Sequence, residues 1–339
     1  LPNNPKISNI AWSPNEKLIA FTNTTSTGVE LWVLDVSTAQ AKKLTADKLN
    51  ANLGSPYSWF SDNQSLLVKM LPKERAALID PTNNIPTGPI ISVSDGSKAQ
   101  NRTYQDLLKN PTDEINFENI ISSELYKVNI NGKSELFMAK NMYAGESFSP
   151  DGNYIMISTI QKPFSYIVPI SRFPSKTVVY NSAGKEIKVV NEVPLSEVLP
   201  KGFMAVRTGK RSMSWRNDKP ATLYYVEAID GGNPETKVDF RDELFLWDAP
   251  FDNQAKSFAK TINRFAGITW GNDNIAILSD NWYDTRNSKT YLINPSNPKQ
   301  EAKIIWDRNY QDIYSDPGAF ETIRNQWGRN VLAIEDGEA

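Results

Sequence analysis

Six times along this chain an aromatic residue closes a short run, a polar turn follows and an apolar run begins, and no other feature limits the possible folds as much. The clearest copies are Ala11-Trp12-Ser13-Pro14-Asn15-Glu16-Lys17-Leu18-Ile19-Ala20-Phe21, Ser58-Trp59-Phe60-Ser61-Asp62-Asn63-Gln64-Ser65-Leu66-Leu67-Val68 and Ser147-Phe148-Ser149-Pro150-Asp151-Gly152-Asn153-Tyr154-Ile155-Met156-Ile157. Looser copies begin at Ser214-Trp215-Arg216, Thr269-Trp270-Gly271 and Gln326-Trp327-Gly328. Ser, Pro, Asn, Asp and Gly supply the preset or positive φ that a tight hairpin needs. A hairpin alone cannot bury its aromatic residue.

After most copies a second strand pair is legible: Glu30–Asp35 with Ala41–Leu44, Glu124–Asn129 with Ser134–Phe137, Thr177–Tyr180 with Glu186–Val190, and Thr290–Ile293 with Ala302–Ile305. Glu243–Trp247 begins the same element after Trp215. Four antiparallel strands per repeat make the blade of a propeller, in which stacked neighbours bury the faces that one blade exposes. The expected fold is therefore all-β, a propeller of four-stranded antiparallel blades, five to six of them over residues 1–339. A β-sandwich would show similar hairpins, and the repetition argues against it.

The aromatic positions fall at 12, 59, 148, 215, 270 and 327, with the widest gap between 59 and 148. An insertion over 72–120, between the two hairpins of the second blade, accounts for that gap. Its first part is rich in Pro and Gly, and Thr103–Lys109 is expected to form a short helix stopped by Pro111. Such an insertion serves more often as a lid or docking surface than as core. The two ends, Leu1-Pro2 and Glu335–Ala339, are expected to continue into further protein.

Two absent residue types exclude most hydrolytic chemistry within the chain. Without Cys there is no disulfide, thiolate nucleophile or cysteine metal site. Without His there is no Ser-His-Asp triad, imidazole shuttle or histidine-bound zinc, so no metal or cofactor is expected. With 37 Lys+Arg against 39 Asp+Glu, there is no basic field for nucleic acid. No apolar stretch approaches the roughly 18 residues of a membrane span.

Several longer stretches resemble the glutamyl endopeptidases of bacteria and chloroplasts, members of the prolyl oligopeptidase class. The strongest is Lys162-Pro163-Phe164-Ser165-Tyr166-Ile167-Val168-Pro169-Ile170-Ser171-Arg172-Phe173-Pro174. Arg102–Lys109, Arg211–Arg216, Ala228–Gly232, Trp282–Arg286 and Tyr314–Gly318 are also similar, in the same order. The resemblance implies a serine peptidase cleaving peptides after Glu, with a propeller preceding an α/β-hydrolase domain. It implies a periplasmic or secreted setting, or alternatively an organellar one. The chain departs from that pattern because Gly-x-Ser-x-Gly and His do not occur in it. The expected partners are thus a peptide substrate and a C-terminal α/β-hydrolase domain outside this chain, and the expected role is to gate or orient substrate.

A peptidase that selects Glu needs a cation near the substrate carboxylate, and the planar fork of Arg suits this best. The candidates are Arg172, between Pro169 and Pro174; Arg211 and Arg216, flanking the Ser-Met-Ser-Trp run; and Arg286, after Trp282-Tyr283. Each could equally be a surface ion pair or an inter-blade clamp. Two other function classes stay open: a stand-alone interaction scaffold, and a propeller that is itself a hydrolase using carboxylates such as Asp62, Asp151, Asp273 and Asp316. Those four sit in turn sequences, where a short acidic side chain ordinarily caps the backbone. The repeat Trp and Phe residues are expected to anchor the core.

Overall fold

In the computed structural model, which describes residues 2, 4–80 and 104–335, each repeat folds as a strand meander. Blade 1 comprises β1 (Ile7–Trp12), β2 (Leu18–Thr24), β3 (Val29–Asp35) and β4 (Gln40–Lys43). Blade 2 comprises β5 (Tyr57–Trp59), β6 (Ser65–Met70), β7 (Ser123–Asn129) and β8 (Ser134–Asn141). Blade 3 comprises β9 (Tyr143–Phe148), β10 (Tyr154–Ile160), β11 (Ser175–Asn181) and β12 (Glu186–Val193). Blade 4 holds β13 (Arg211–Trp215), β14 (Thr222–Ala228), β15 (Asp242–Asp248) and β16 (Lys256–Thr261). Blade 5 holds β17 (Arg264–Trp270), β18 (Ala276–Trp282), β19 (Asn287–Ile293) and β20 (Lys303–Asn309). The sixth repeat is a two-stranded sheet, β21 (Thr322–Arg324) with β22 (Asn330–Leu332). All pairings within the blades are antiparallel.

The packing follows from the two-residue period of strands whose two faces are both covered. In β6, Leu66 and Val68 join Leu31 and Val33 of blade 1, while Leu67 turns the other way to Phe148, Ile155 and Ile157 of blade 3. Met156, between those two isoleucines, faces Trp215, Leu223 and Tyr225 of blade 4. Val226 and Leu244 then meet Trp270, Leu278 and Tyr291 of blade 5. One aromatic anchor per interface comes from the end of a first strand. The indole of Trp59 donates to the Ala11 carbonyl at 3.2 Å, and that of Trp215 to the equivalent Ser147 carbonyl at 3.1 Å. Trp270 keeps the same packing, but its indole N–H makes no hydrogen bond. Trp12 departs from the expected role. It is 47% exposed, because among the described residues no blade precedes blade 1 to cover it.

The turns show why Ser, Asp and Gly recur. Ser149 Oγ accepts from Tyr154 N at 3.0 Å and bonds Asp151 at 2.6 Å, closing the hairpin from within. Gly152, at φ +75°, lies against blade 2, where a Cβ would come within 2.1 Å of Ser61 Oγ. Asp62, Asp151 and Asp316 all accept from nearby backbone N–H groups, as turn residues do. Asp273 does not. Asn272 caps that turn, and Asp273 pairs with Lys219.

The segment 71–122 joins β6 to β7, which are hydrogen-bonded neighbours with Met70 opposite Glu124. Residues 81–103 of the insertion expected at 72–120, Arg102 and Thr103 among them, lie outside the described residues. Residues 104–109 are not helical. The helix is α1 (Pro111–Ile121), and Pro111 opens it rather than stopping one. A first-turn proline loses no hydrogen bond, its φ is already helical, and Asn110 caps the end by accepting from Asp113 N at 2.9 Å. Phe117 of this helix meets Phe164 and Phe173 edge-on at 5.0 and 5.8 Å, fastening α1 to the loop between β10 and β11.

Candidate functional site

The first strands run in a common direction around the axis, so the molecule has two distinct ends. Residues of β1, β5 and β9 line one cavity with the β21–β22 hairpin, which places these strands at the centre. The face where first strands end, here the upper face, carries the repeat turns. The face where they begin, the lower face, carries 71–122, the β10–β11 loop, and residues 194–210, 229–241 and 283–286.

At the upper face the central cavity measures 440 Å³, and its lining includes Trp12, Trp59, Glu146, Trp327 and Arg329. The hairpin loop crosses this mouth. Arg329 donates to the Phe148 carbonyl at 2.7 Å, Asn217 to the Asn330 carbonyl at 2.9 Å, and Arg324 pairs with Glu16. Behind the wall, Lys69 reaches Glu146 at 3.1 Å, with side-chain exposures of only 2% and 4%. Lys69 also donates to the Leu53 carbonyl at 3.0 Å. Burial pushes the Glu146 carboxyl above its usual range, and the ammonium of Lys69 pulls it back.

The four arginines singled out in the sequence do not form one group. Arg216 is on the upper side, buried, forked onto Asp218 at 3.0 and 2.6 Å and stacked 4.2 Å from the centre of Trp270. That is the inter-blade clamp. The other three lie on the lower face. Arg172 ends a short 3-10 turn, Ile170–Arg172, with its guanidinium 5.7 Å from the Tyr104 ring, and its carbonyl accepts from Ser196 N at 3.0 Å. Arg286, at φ +57°, folds back onto Tyr283, bonding that carbonyl at 2.6 Å and lying 3.7 Å from the ring centre. Arg211 opens β13 and pairs with the fully buried Asp242, while its Nε is buried without a hydrogen bond.

Arg211 belongs to a buried network that the sequence did not reveal. Arg264, the first residue of β17, binds Asp230 through both terminal nitrogens, at 2.8 and 2.7 Å, and Asp242 at 3.0 Å. Arg241 pairs with Asp230 at 3.0 Å and covers the Trp282 ring at 4.0 Å. Asp242 also accepts from Phe265 N at 2.8 Å, so the charges tie blade 4 to blade 5. Beside them, Gly232 at φ +74° has no Cβ to block Val206, whose N–H donates to the Gly232 carbonyl at 3.1 Å. This docking places the following residue, Arg207, close enough to Arg211 for the two charges to repel. Three guanidinium groups here share two carboxylates, and Arg207 stands beside them without one among the described residues. Among the described residues no cluster of acidic side chains is suited to a metal ion.

Exposed apolar side chains also collect on the lower face. They include Val198, Phe203, Phe240, Ile313 and Tyr314, with Phe203 and Tyr283 in ring contact at 4.6 Å. Large apolar side chains exposed on one face are a feature of surfaces that meet another body.

No protein-family model matches the chain. It is 34% identical over 344 residues to a protein of Oryza sativa subsp. japonica named probable glutamyl endopeptidase, chloroplastic, an alignment covering 98% of this chain and 36% of that protein. A protein of Arabidopsis thaliana with the same name is 33% identical over 346 residues, covering 98% and 35%. The chain thus spans little more than a third of these relatives' length. Among solved structures, a prolyl endopeptidase superposes with a TM-score of 0.52 at 12% identity, covering 99% of this chain and 38% of that one. An oligogalacturonate lyase superposes with a TM-score of 0.50 at 10% identity, covering 88% and 64%. At such identities the likeness is one of fold.

Proposed function

We propose that this propeller, related over nearly its whole length to the glutamyl endopeptidases of the prolyl oligopeptidase class, is the substrate-orienting, non-catalytic domain of a serine peptidase that cleaves after Glu. The observation that carries the reading is the character of the lower face. Arg172, Arg211 and Arg286 lie there together with the insertion and the exposed apolar side chains, on the side where β1 begins. A hydrolase domain docked on that face would bury the apolar residues and set its nucleophile opposite a cationic rim. A peptide held between the two would be oriented by charge.

The competing hydrolase reading draws no support from the carboxylates, since Asp62, Asp151 and Asp316 are spent on turns and Asp273 on an exposed ion pair. The relatives' names speak for an organellar setting rather than a secreted one.

Arg172 provides the test. Arg172→Ala in the full-length protein is expected to lower kcat/KM on Glu peptides by roughly 10-fold or more, the loss of one charge-assisted hydrogen bond. An unchanged kcat/KM in a normally folded variant would remove Arg172 from the site.

A further inference from the structure

Arg207 differs from the arginines of the neighbouring charged network. Arg211, Arg241 and Arg264 each meet a carboxylate, whereas Arg207 has none within ion-pair reach among the described residues. It donates instead to neutral backbone carbonyls, those of Thr208 at 3.0 Å and of Lys210. A guanidinium has five N–H donors in a planar fork, so donors remain for a further acceptor. Burial and the neighbouring Arg211 charge both depress its pKa, as expected of a cation held without a counterion.

This side chain lines a cavity of 300 Å³ on the lower face. The other walls combine the aliphatic side chains of Pro194, Leu195, Val198, Leu199 and Pro200 with the hydroxyl-bearing Ser196 and Thr208. One fixed cation beside aliphatic side chains, in a space at the lower end of the size range of small-molecule sites, suits an anion carried on a short hydrocarbon stem. The position of Arg207 is fixed rather than adventitious, because its preceding residue is docked against Gly232.

We propose that this cavity is the specificity pocket for the glutamate side chain of the substrate, with the Arg207 guanidinium receiving its carboxylate and the aliphatic walls its methylenes. The proposal rests on the peptidase reading above and names the residue that gives it its preference for Glu.

The experiment uses the full-length protein and C-terminally amidated reporter peptides that differ only in carrying Glu, Gln or Leu before the scissile bond. Wild type is expected to favour Glu. In Arg207→Ala, kcat/KM for the Glu peptide should fall by roughly 10- to 100-fold, while the Gln and Leu peptides change by less than about twofold. Arg207→Gln keeps an amide to bond the carbonyls without the charge, and should lose the Glu preference with the wild-type Tm. Arg207→Lys should recover part of it. A Glu preference that survives in Arg207→Gln, or a loss shared equally by all three peptides, overturns the pocket and leaves the peptidase reading intact. A dependence on Arg207 confined to peptides with a free C-terminal carboxylate overturns it as well, assigning the site to the chain end instead. A wild type that does not prefer Glu to Gln overturns the reading and the pocket together.

Discussion

Replacing Lys69 by methionine should cost the fold roughly 3–5 kcal/mol near neutral pH, although methionine is similar in length and more apolar. The cost comes from the partner left behind. In β6, Leu67 faces blade 3, and Lys69, two residues on, faces the same way, where Glu146 of β9 is the group that answers it. Both side chains are almost fully enclosed, so the carboxylate has no water to turn to when the ammonium is removed, and the Leu53 carbonyl loses its donor as well. Burial already raises the Glu146 pKa, and without Lys69 nothing opposes it. A carboxyl whose folded pKa lies above its unfolded value binds its proton more tightly in the folded state. Its contribution is full below the unfolded value, near pH 4.3 by model peptides, and is lost as pH rises through the folded one. The Tm deficit of Lys69→Met should therefore shrink as pH is lowered from 8 toward 5, and the double variant Lys69→Met with Glu146→Leu should recover most of the stability. A deficit that is independent of pH, or that grows in acid, contradicts this account.

Asp242→Ala should lower Tm by roughly 4–7 °C, from a loss of about 3–5 kcal/mol. Asp242 is fully buried, pairs with Arg211 and Arg264, and accepts from the Phe265 backbone. Removing it leaves Arg211 unpaired and puts Arg264 on Asp230 alone, a carboxylate that Arg241 already shares. Asp242→Asn should fall between, since the amide oxygen can still accept from Phe265 while the charge is lost. Thermal unfolding checks both. An Asp242→Ala variant within about 1 °C of wild type would show that the network contributes nothing net, as exposed pairs often do.

The blades were legible because each carries its signal locally. Aromatic, turn and apolar run sit within about a dozen residues, and the turn residues have a backbone reason to be there. Helix α1 was misplaced although its own signals were present. Asn110-Pro111-Thr112-Asp113 reads as a cap, a first-turn proline and an early acidic residue once Pro is allowed to start a helix. The charged networks were illegible for a different reason. Lys69 and Glu146 are joined only by blade stacking, and Asp230, Asp242 and Arg264 come from separate loops and strand starts. One hint was available: a lysine ending the apolar run Leu66-Leu67-Val68 needs a buried partner. The arginine candidates could not be sorted from sequence because their location depends on which end of a strand they occupy. Arg211 and Arg216 flank one five-residue strand and so reach opposite faces. Arg207, in the loop Arg207-Thr208-Gly209-Lys210, had no pattern to mark it.

The most direct test of the central claim compares two preparations on one mixture of unstructured peptides, with the cleavage sites read by mass spectrometry. The full-length protein should cut on the carboxyl side of Glu, and the 339-residue chain alone, which has no histidine, should cut nothing. Turnover by the isolated chain, or a full-length protein that leaves Glu bonds intact, would contradict the account.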